Sequence, residues 1–310
     1  MRSELIRSGL SAIFFLLLVN NAGSARNRAY WIAPTSDFVS SSNLVLVNAS
    51  VEDTQGRPIT DLDPNAFRLF DDGREQALVS LSQSDIPVSM IIDLDSSSSM
   101  RNLASRAARS AAVSLEGSNP GDEFALVTFA DRPSLAVGWT GDNRQIRDYL
   151  PRVQSHGNTA LLDSMVYAAS IAKRAKNAQR VIIVISDGID NHSRRSIASV
   201  QRLLLEANVH VYAINILNSE GLYTATQWDN DEVLDPICES TGGRVIQVLN
   251  STDLLPTLAA VAREIRSEYV LGFRPTALTR PGKYHRIRLM VKRTAGSRLS
   301  VSWRRGYYEP

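Results

Sequence analysis

A serine-rich run with two acidic residues is the first candidate site for chemistry in this sequence. Residues 93–100 read Asp-Leu-Asp-Ser-Ser-Ser-Ser-Met and continue an apolar stretch that begins at Val88. Asp95, Ser97 and Ser99 occupy alternate positions, so their side-chain oxygens can be directed at one point. Carboxylate and hydroxyl oxygens are ligands of hard cations such as Mg²⁺. The run therefore predicts a cation site, and its hydroxyl ligands would favour a further carboxylate ligand from outside the chain.

Asp and Ser are also good helix caps, so the run alone would equally indicate a turn followed by a helix. Two further segments favour the cation site. Thr159 begins a predicted helix, and Asp187 follows the aliphatic run 181–185. Sites in open α/β sheets lie beyond the carboxyl ends of the strands, so these oxygens are expected to meet the serine run at one edge of a sheet.

The elements that must position these residues alternate between strand and helix from residue 86 to residue 267. Apolar runs predict strands at 88–94, 124–129, 135–139, 181–185, 209–216 and 244–249. Helical periodicity predicts helices at 100–116, 143–153, 159–175, 195–207, 231–240 and 252–267. This alternation predicts an α/β fold with a doubly wound, mostly parallel sheet covered by helices on both faces.

Residues 37–85 and 268–310 show strand patterns without helical periodicity, and Asp71-Asp72-Gly73 is typical of a hairpin turn. Neither flank is long enough to bury much of a core by itself. We therefore expect the N-terminal and C-terminal β segments to pack together as one small β-sandwich beside the α/β domain at 86–267.

The first 25 residues have the three-part pattern of a secretory signal peptide. Arg2 and Arg7 precede an apolar run at 12–19, and small residues at 23–25 follow it. The apolar run is shorter than the roughly 20 residues of a membrane-spanning helix, and an uncleaved N-terminal anchor is the alternative. We predict an exported chain, periplasmic, secreted or at the cell surface, with no membrane span once mature.

Composition narrows the possible partners. The 310 residues include 34 Lys and Arg and 32 Asp and Glu, and the basic residues are scattered, which predicts no nucleic-acid partner. Cys238 is the only cysteine, which excludes an internal disulfide, and its apolar helical surroundings predict a buried thiol.

Three segments resemble the von Willebrand factor A domain family. Asp95–Met100 is similar to its D-x-S-x-S-M signature, Gly157–Leu161 to the loop that supplies its metal-site threonine, and Ile185–Gly188 to the strand end that supplies its aspartate. The resemblance covers about residues 86–267. Both flanking β segments resemble those of the bacterial group described as the Acidobacterial VWFA-related subfamily.

The resemblance implies a metal-ion-dependent adhesion site that holds Mg²⁺ or Mn²⁺. It implies that Ser97, Ser99 and Thr159 contact the ion directly, and that Asp95 and Asp187 act through water. A protein partner presenting Asp or Glu would complete the coordination. The function that follows is that of an exported, non-enzymatic binding or adhesion module whose oligomeric state is open.

Asp93 departs from the family pattern, which usually has an apolar residue there. It should face the same side of its strand as Asp95, either as a carboxyl that supports the site or as a satisfied polar residue. Asp93-Leu94-Asp95 also resembles the paired aspartates of Mg²⁺-dependent haloacid-dehalogenase-type phosphatases. However, Ser97 stands where that pattern has Thr or Val, and no matching lysine and acidic pair follow. A structural scaffold with a vestigial metal site is the third alternative.

Overall fold

The structure is a computed structural model that describes residues 44–83, 86–216, 231–276, 280–292 and 298–309. The predicted signal peptide at 1–25 and the first residues of the N-terminal β segment, 37–43, lie outside this part of the chain. Within the described residues, no helix has the length and apolar character needed to cross a membrane.

The N-terminal segment forms strands, as its alternating pattern predicts. They are β1 (Val45–Glu52), β2 (Phe67–Asp71), β3 (Arg74–Gln76) and β4 (Leu78–Gln83). The turn between β2 and β3 has positive φ at Asp72 (47°) and Gly73 (82°). Such backbone angles are typical of two-residue hairpin turns and are tolerated by Asp and Gly. The hairpin predicted at Asp71-Asp72-Gly73 is therefore confirmed.

A six-stranded sheet forms the centre of the molecule. Its strands are β5 (Val88–Asp95), β6 (Glu123–Phe129), β7 (Pro133–Thr140), β8 (Gln179–Ser186), β9 (His210–Ile216) and β10 (Val245–Val248). They lie in the order β10-β9-β8-β5-β6-β7, and only β7 runs antiparallel to its neighbour. Every residue of β5 is buried, as expected for a strand covered on both faces.

Among the described residues, six helices cover the two faces of this sheet. They are α1 (Ala104–Ser114), α2 (Asn143–Tyr149), α3 (Leu161–Ala172), α4 (Ile197–Glu206), α5 (Asp231–Thr241) and α6 (Leu254–Ser267). Apolar residues of α1, α2 and α6 pack on one face, and those of α3, α4 and α5 pack on the other. The doubly wound, mostly parallel α/β fold is confirmed. Cys238 is buried in α5.

The helix predicted at 100–116 begins later than its periodicity indicates. Residues 98–100 form a 3-10 turn, and α1 starts only at Ala104. Ser97 precedes the 3-10 turn but its hydroxyl makes no capping hydrogen bond. It contacts the Ser99 hydroxyl instead, at 3.0 Å. The loop is therefore longer than predicted because its hydroxyls bond to one another and not to a helix end.

The C-terminal segment forms β11 (Tyr269–Phe273), β12 (Tyr284–Val291), β13 (Ser300–Trp303) and β14 (Gly306–Tyr308). Together with β1–β4 these strands make two four-stranded sheets, ordered β13-β1-β11-β4 and β14-β12-β2-β3. Apolar residues of both sheets, including Val47, Leu69, Leu271 and Ile287, share one core. Each sheet thus combines strands from both ends of the chain, while the domain boundaries themselves stay predictions.

Glu268 joins the small sheets to the central domain. It follows α6 and is 3% exposed. One of its oxygens accepts hydrogen bonds from Asn48 of β1 and Gln179 of β8, both at 3.0 Å. The other oxygen accepts one from Tyr212 at 2.9 Å and lies 3.2 Å from Nδ1 of His210. One buried carboxylate therefore connects three strands.

Candidate metal centre

The predicted site lies where the chain reverses its direction of travel across the central sheet. From β5 the chain moves outward through β6 and β7, then returns to β8 on the other side of β5 and continues to β9 and β10. Ligand sites of open α/β sheets form at such a point, beyond the carboxyl ends of the strands. Because β5 and β8 are parallel neighbours, Asp95 at the end of one lies beside Ser186 and Asp187 at the end of the other.

Asp95 is fully buried and held by two serines. Its Oδ1 accepts a hydrogen bond from the backbone N–H of Ser97 at 2.8 Å, and its Oδ2 accepts one from the Ser186 hydroxyl at 2.6 Å. Burial raises the pKa of Asp95 to about 6, and the charge of Asp187 adds to this effect against the hydrogen bond from Ser186. The carboxyl is therefore fixed in position in an environment that opposes its negative charge.

The two other serines of the loop connect Asp95 to Asp187. Ser97 is 1% exposed, and its hydroxyl lies 3.0 Å from that of the exposed Ser99. Ser99 in turn hydrogen-bonds the Asp187 carboxylate, although burial still raises the pKa of Asp187 above its ordinary value. Asp95, Ser97, Ser99 and Asp187 thus form one connected cluster of oxygens.

Thr159 lies on a third loop that hydrogen bonds attach to the other two. The N–H of Ser98 donates to the carbonyl of Gly157 at 3.1 Å, which joins the third loop to the serine loop. The N–H of Thr159 donates to the Asn191 side chain at 2.9 Å, and its carbonyl accepts from the N–H groups of Asn191 and His192. Thr159 is 1% exposed, and its loop bridges the segments that carry the serines and Asp187.

Gly157 allows the backbone of this third loop to adopt a positive φ close to the Asp131 carboxylate. Its φ is +69°, and a Cβ at this position would lie 2.4 Å from the Oδ2 atom of Asp131. The Asp131 carboxylate accepts hydrogen bonds from the backbone and the side chain of Asn158, both at 2.9 Å. A glycine is favoured here, because the backbone is left-handed and a Cβ would displace the Asp131 carboxylate.

This donor set fits a divalent cation. All five predicted residues offer oxygen, the donor that Mg²⁺ and Mn²⁺ prefer. Two carboxylates are buried together, and within the described part of the chain neither forms an ion pair with a lysine or arginine. Burial raises the pKa of both. A cation between them would supply the positive charge that their surroundings lack.

Asp93 lies behind this cluster, inside the sheet. It is fully buried, and its Oδ1 accepts a hydrogen bond from Ser164 of α3 at 2.6 Å. Its Oδ2 has no hydrogen-bond partner among the described residues. Burial raises the pKa of Asp93 to about 8, with the charge of Asp95 adding to it. Among the described residues, Asp93 is therefore a half-satisfied buried carboxyl, unlike the satisfied polar residue of the second alternative, and its supporting role at the site stays a prediction.

Several residues that support the cluster were not assigned a role from the sequence. They are Ser186, Ser164, Asp131 and Asn191. Ser186 directly precedes Asp187 at the end of an aliphatic strand, and this position was the only signal available. The other three act across sequence separations of 27 to 71 residues, which local patterns do not reveal.

These features define a class of protein: an α/β domain with a doubly wound sheet and a cluster of side-chain oxygens at the point where the strand order reverses. Residues 90–189, which contain all five predicted site residues, match the family model described as von Willebrand factor type A domain. Residues 90–189 thus have the signature of a von Willebrand factor type A domain. The Acidobacterial subfamily stays a prediction.

One solved structure supports the fold, and others show a weaker likeness. A von Willebrand factor type A protein from Catenulispora acidiphila is 14% identical, with a TM-score of 0.50 over 88% of this chain and 76% of that one. An aerotolerance-related membrane protein from Bacteroides fragilis is 19% identical, with a TM-score of 0.45 over 57% of this chain and 98% of that one. At 14% identity the likeness to the Catenulispora protein concerns the fold alone.

A further similar structure is proximal thread matrix protein 1 from the mussel byssus, solved with a zinc-occupied MIDAS motif. It is 20% identical, with a TM-score of 0.47 over 63% of this chain and 48% of that one. Among curated proteins, no sequence matches this chain.

Proposed function

We propose that this protein is an exported, non-enzymatic binding module that holds Mg²⁺ or Mn²⁺ in the cluster formed by Asp95, Ser97, Ser99, Thr159 and Asp187. The observation that carries the proposal is the burial of Asp95 and Asp187 together, joined by two serine hydroxyls, with no cationic side chain among the described residues to balance them. The bound ion would supply a positive centre with an open position for a carboxylate.

The role of each residue at the ion follows from its position and from the family resemblance. The serine hydroxyls and Thr159 would contact the ion, while Asp95 and Asp187 would hold water molecules bound to it. Hydroxyl ligands are neutral, so such an ion keeps most of its charge and attracts an external carboxylate. We therefore propose a protein partner that presents Asp or Glu.

The first experiment is calorimetric titration of Mg²⁺ and Mn²⁺ into wild-type protein and Asp95→Ala. We expect wild type to bind one equivalent of Mg²⁺, Asp95→Ala to bind none, and the two circular dichroism spectra to be the same. Asp61→Ala, which removes an exposed aspartate in the loop before β2, is the matched control and should bind like wild type. Equal Mg²⁺ binding by wild type and Asp95→Ala would place the ion elsewhere, and no binding by either would support a scaffold with a vestigial site.

The second experiment concerns the partner. Immobilised wild-type protein is incubated with envelope extract in the presence of Mg²⁺, with and without EDTA, beside Asp95→Ala and Asp61→Ala. The proposal predicts a protein that is retained by wild type and Asp61→Ala, released by EDTA and not retained by Asp95→Ala. Retention that EDTA does not change would place the binding surface away from the metal site.

The phosphatase alternative requires Asp93 to reach a substrate phosphorus atom. Asp93 is 0% exposed and lies inside the sheet, which argues against this role. An assay with an artificial phosphate ester and Mg²⁺ separates the two classes. We expect no turnover, and turnover that Asp93→Asn abolishes would replace the binding function with an enzymatic one.

Export is a separate part of the proposal, since residues 1–25 lie outside the described residues. It rests on the positively charged start, the short apolar run and the small residues that follow. Fractionation of the source cells followed by N-terminal sequencing tests it. Recovery outside the cytoplasm with a new N-terminus near residue 26 is expected, and a cytoplasmic chain beginning at Met1 would contradict export.

A further inference from the structure

A second cluster of potential ligands lies in the small sandwich, far along the chain from the first. Asp71 at the end of β2, Asp72 in the hairpin turn and His285 in β12 each offer a ligand atom, and the three atoms lie within 4.8 Å of one another. Nδ1 of His285 is 3.0 Å from Oδ1 of Asp71 and 3.3 Å from Oδ2 of Asp72. Ligand atoms around one tetrahedral Zn²⁺ ion lie about 3.3–3.6 Å apart, so only small shifts separate this arrangement from a coordination shell.

Gln76 provides an independent indication that a ligand belongs here. It is 6% exposed and lines the same cavity of about 230 Å³ as Asp71, Asp72 and His285. Its Nε2 donates to the carbonyl of Arg74 and to the Thr276 hydroxyl, both at 3.3 Å. The carbonyl can only accept, so the amide nitrogen must face it, and the orientation of the side chain is fixed.

The other amide atom of Gln76, Oε1, is then a buried acceptor with no hydrogen-bond partner among the described residues. A buried acceptor left in this state costs about 1–3 kcal/mol. A cation in the cavity would satisfy this oxygen.

The groups behind the cluster also match a metal site. Nε2 of His285 lies 2.6 Å from a carboxylate oxygen of the buried Glu309, which can accept a hydrogen bond from it. Metal-binding histidines usually donate their second ring N–H to a carboxylate in this way, which directs the other nitrogen at the ion. Tyr307 stacks on His285 with ring centroids 4.9 Å apart and donates a hydrogen bond of 2.9 Å to Asp71. Glu309 and Tyr307 thus orient the two buried ligands, His285 and Asp71, from the side opposite the proposed ion.

The turn fixes the third ligand. Asp72 adopts a left-handed backbone, and its Oδ1 accepts a hydrogen bond from the N–H of Arg286 at 3.0 Å. Its Oδ2 faces His285 and is contacted at 3.4 Å by Lys283, whose side chain is 43% exposed and free to move into solvent. The ion would therefore compete with a surface lysine for one carboxylate oxygen.

We propose that Asp71, Asp72, His285 and Gln76 form a second metal site, selective for Zn²⁺ or a similar transition ion. Imidazole together with carboxylates suits Zn²⁺, whereas Mg²⁺ prefers oxygen ligands alone. The site joins the hairpin of the N-terminal segment to β12 and, through Glu309, to the end of the C-terminal segment. It would hold the two ends of the chain together in a protein whose single cysteine allows no internal disulfide.

The test is titration of Zn²⁺ into Asp95→Ala, in which the first site is removed. Calorimetry should show one equivalent bound. The ¹⁵N spectrum of labelled histidine should show a shift at Nδ1 of one of the four histidines, and that signal should disappear in His285→Gln. Adding Asp72→Asn should weaken Zn²⁺ binding at least about tenfold. Asn tolerates the left-handed backbone, and the side chain of Asp72 is 40% exposed, so this variant should fold.

Glu75→Gln is the matched control, because Glu75 is an exposed carboxylate on the same hairpin that pairs with Arg68 outside the cluster. It should bind Zn²⁺ like its parent and show the same histidine shift. Two results would overturn the proposal. One is Zn²⁺ binding by Asp95→Ala without a histidine shift, and the other is equal weakening by Asp72→Asn and Glu75→Gln.

Discussion

The Ser186 hydroxyl donates a hydrogen bond of 2.6 Å to Oδ2 of Asp95, so the ends of β8 and β5 are joined by side chains at the candidate metal centre. The same Ser186 oxygen accepts the N–H of Gly188 at 3.1 Å. One hydroxyl therefore positions both the Asp95 carboxylate and the turn that follows Asp187.

Ser186→Ala should weaken Mg²⁺ binding about tenfold, because it removes a group that orients a carboxylate of the site. It should also lower the free energy of unfolding by about 1 kcal/mol through the lost hydrogen bond. Calorimetric titration and denaturant unfolding measure the two effects. Ser170→Ala, at an exposed serine of α3, should change neither. Wild-type affinity in Ser186→Ala would mean that Asp95 needs no such support.

Gly157→Ala should reduce thermal stability more than Gly56→Ala. Both glycines have nearly the same positive φ, +69° and +71°, so each substitution carries a backbone cost of about 1–2 kcal/mol. At Gly56 the new Cβ meets nothing within 4 Å, whereas at Gly157 it would collide with Asp131.

Only Gly157→Ala should weaken Mg²⁺ binding as well, since the carbonyl of Gly157 holds the serine loop. Thermal melts with and without Mg²⁺ distinguish the two variants. Equal loss of stability in both would mean that Asp131 moves aside without consequence.

Asp93→Asn should leave Mg²⁺ binding within about tenfold of wild type. Asn keeps the oxygen that accepts the hydrogen bond from Ser164. Burial raises the pKa of Asp93 to about 8, so the neutral form, which Asn resembles, is favoured below that pH. Titration of Mg²⁺ into this variant, beside Asp95→Ala, measures the difference. A loss as large as that of Asp95→Ala would give Asp93 a direct part in holding the ion.

Glu268→Gln should lower the free energy of unfolding at neutral pH by about 1–3 kcal/mol. Burial alone raises the pKa of Glu268, but the charge of His210 and the hydrogen bonds from His210, Asn48 and Tyr212 together bring it below the ordinary 4.5. The unfolded chain therefore binds the proton more readily, and the stability that Glu268 contributes is present above pH 4.5 and lost as the pH falls below it.

Urea unfolding at several pH values tests this expectation. Wild type should lose its advantage over Glu268→Gln between neutral pH and the acid range, and the two should converge there. Glu206→Gln, on the exposed face of α4, is the control and should follow wild type. A constant difference at all pH values would show that the effect is one of packing and not of charge.

The sequence by itself determined the α/β class, the strands and helices of the central domain, and the motif at Asp95, Thr159 and Asp187. Local periodicity reports which face of an element is buried, and strand ends mark where loops begin. The start of α1 is predicted too early, because the Ser97 and Ser99 hydroxyls bond to each other within the loop and do not cap the helix.

The tertiary structure decided which strands are neighbours. This order of strands places Ser186 on Asp95 and buries Asp93 with one oxygen that no described residue satisfies. It also brings Asp71 against His285 across 214 residues. Such contacts depend on pairing between distant segments. The energy of that pairing is shared over whole sheets, so no local pattern in the sequence records it.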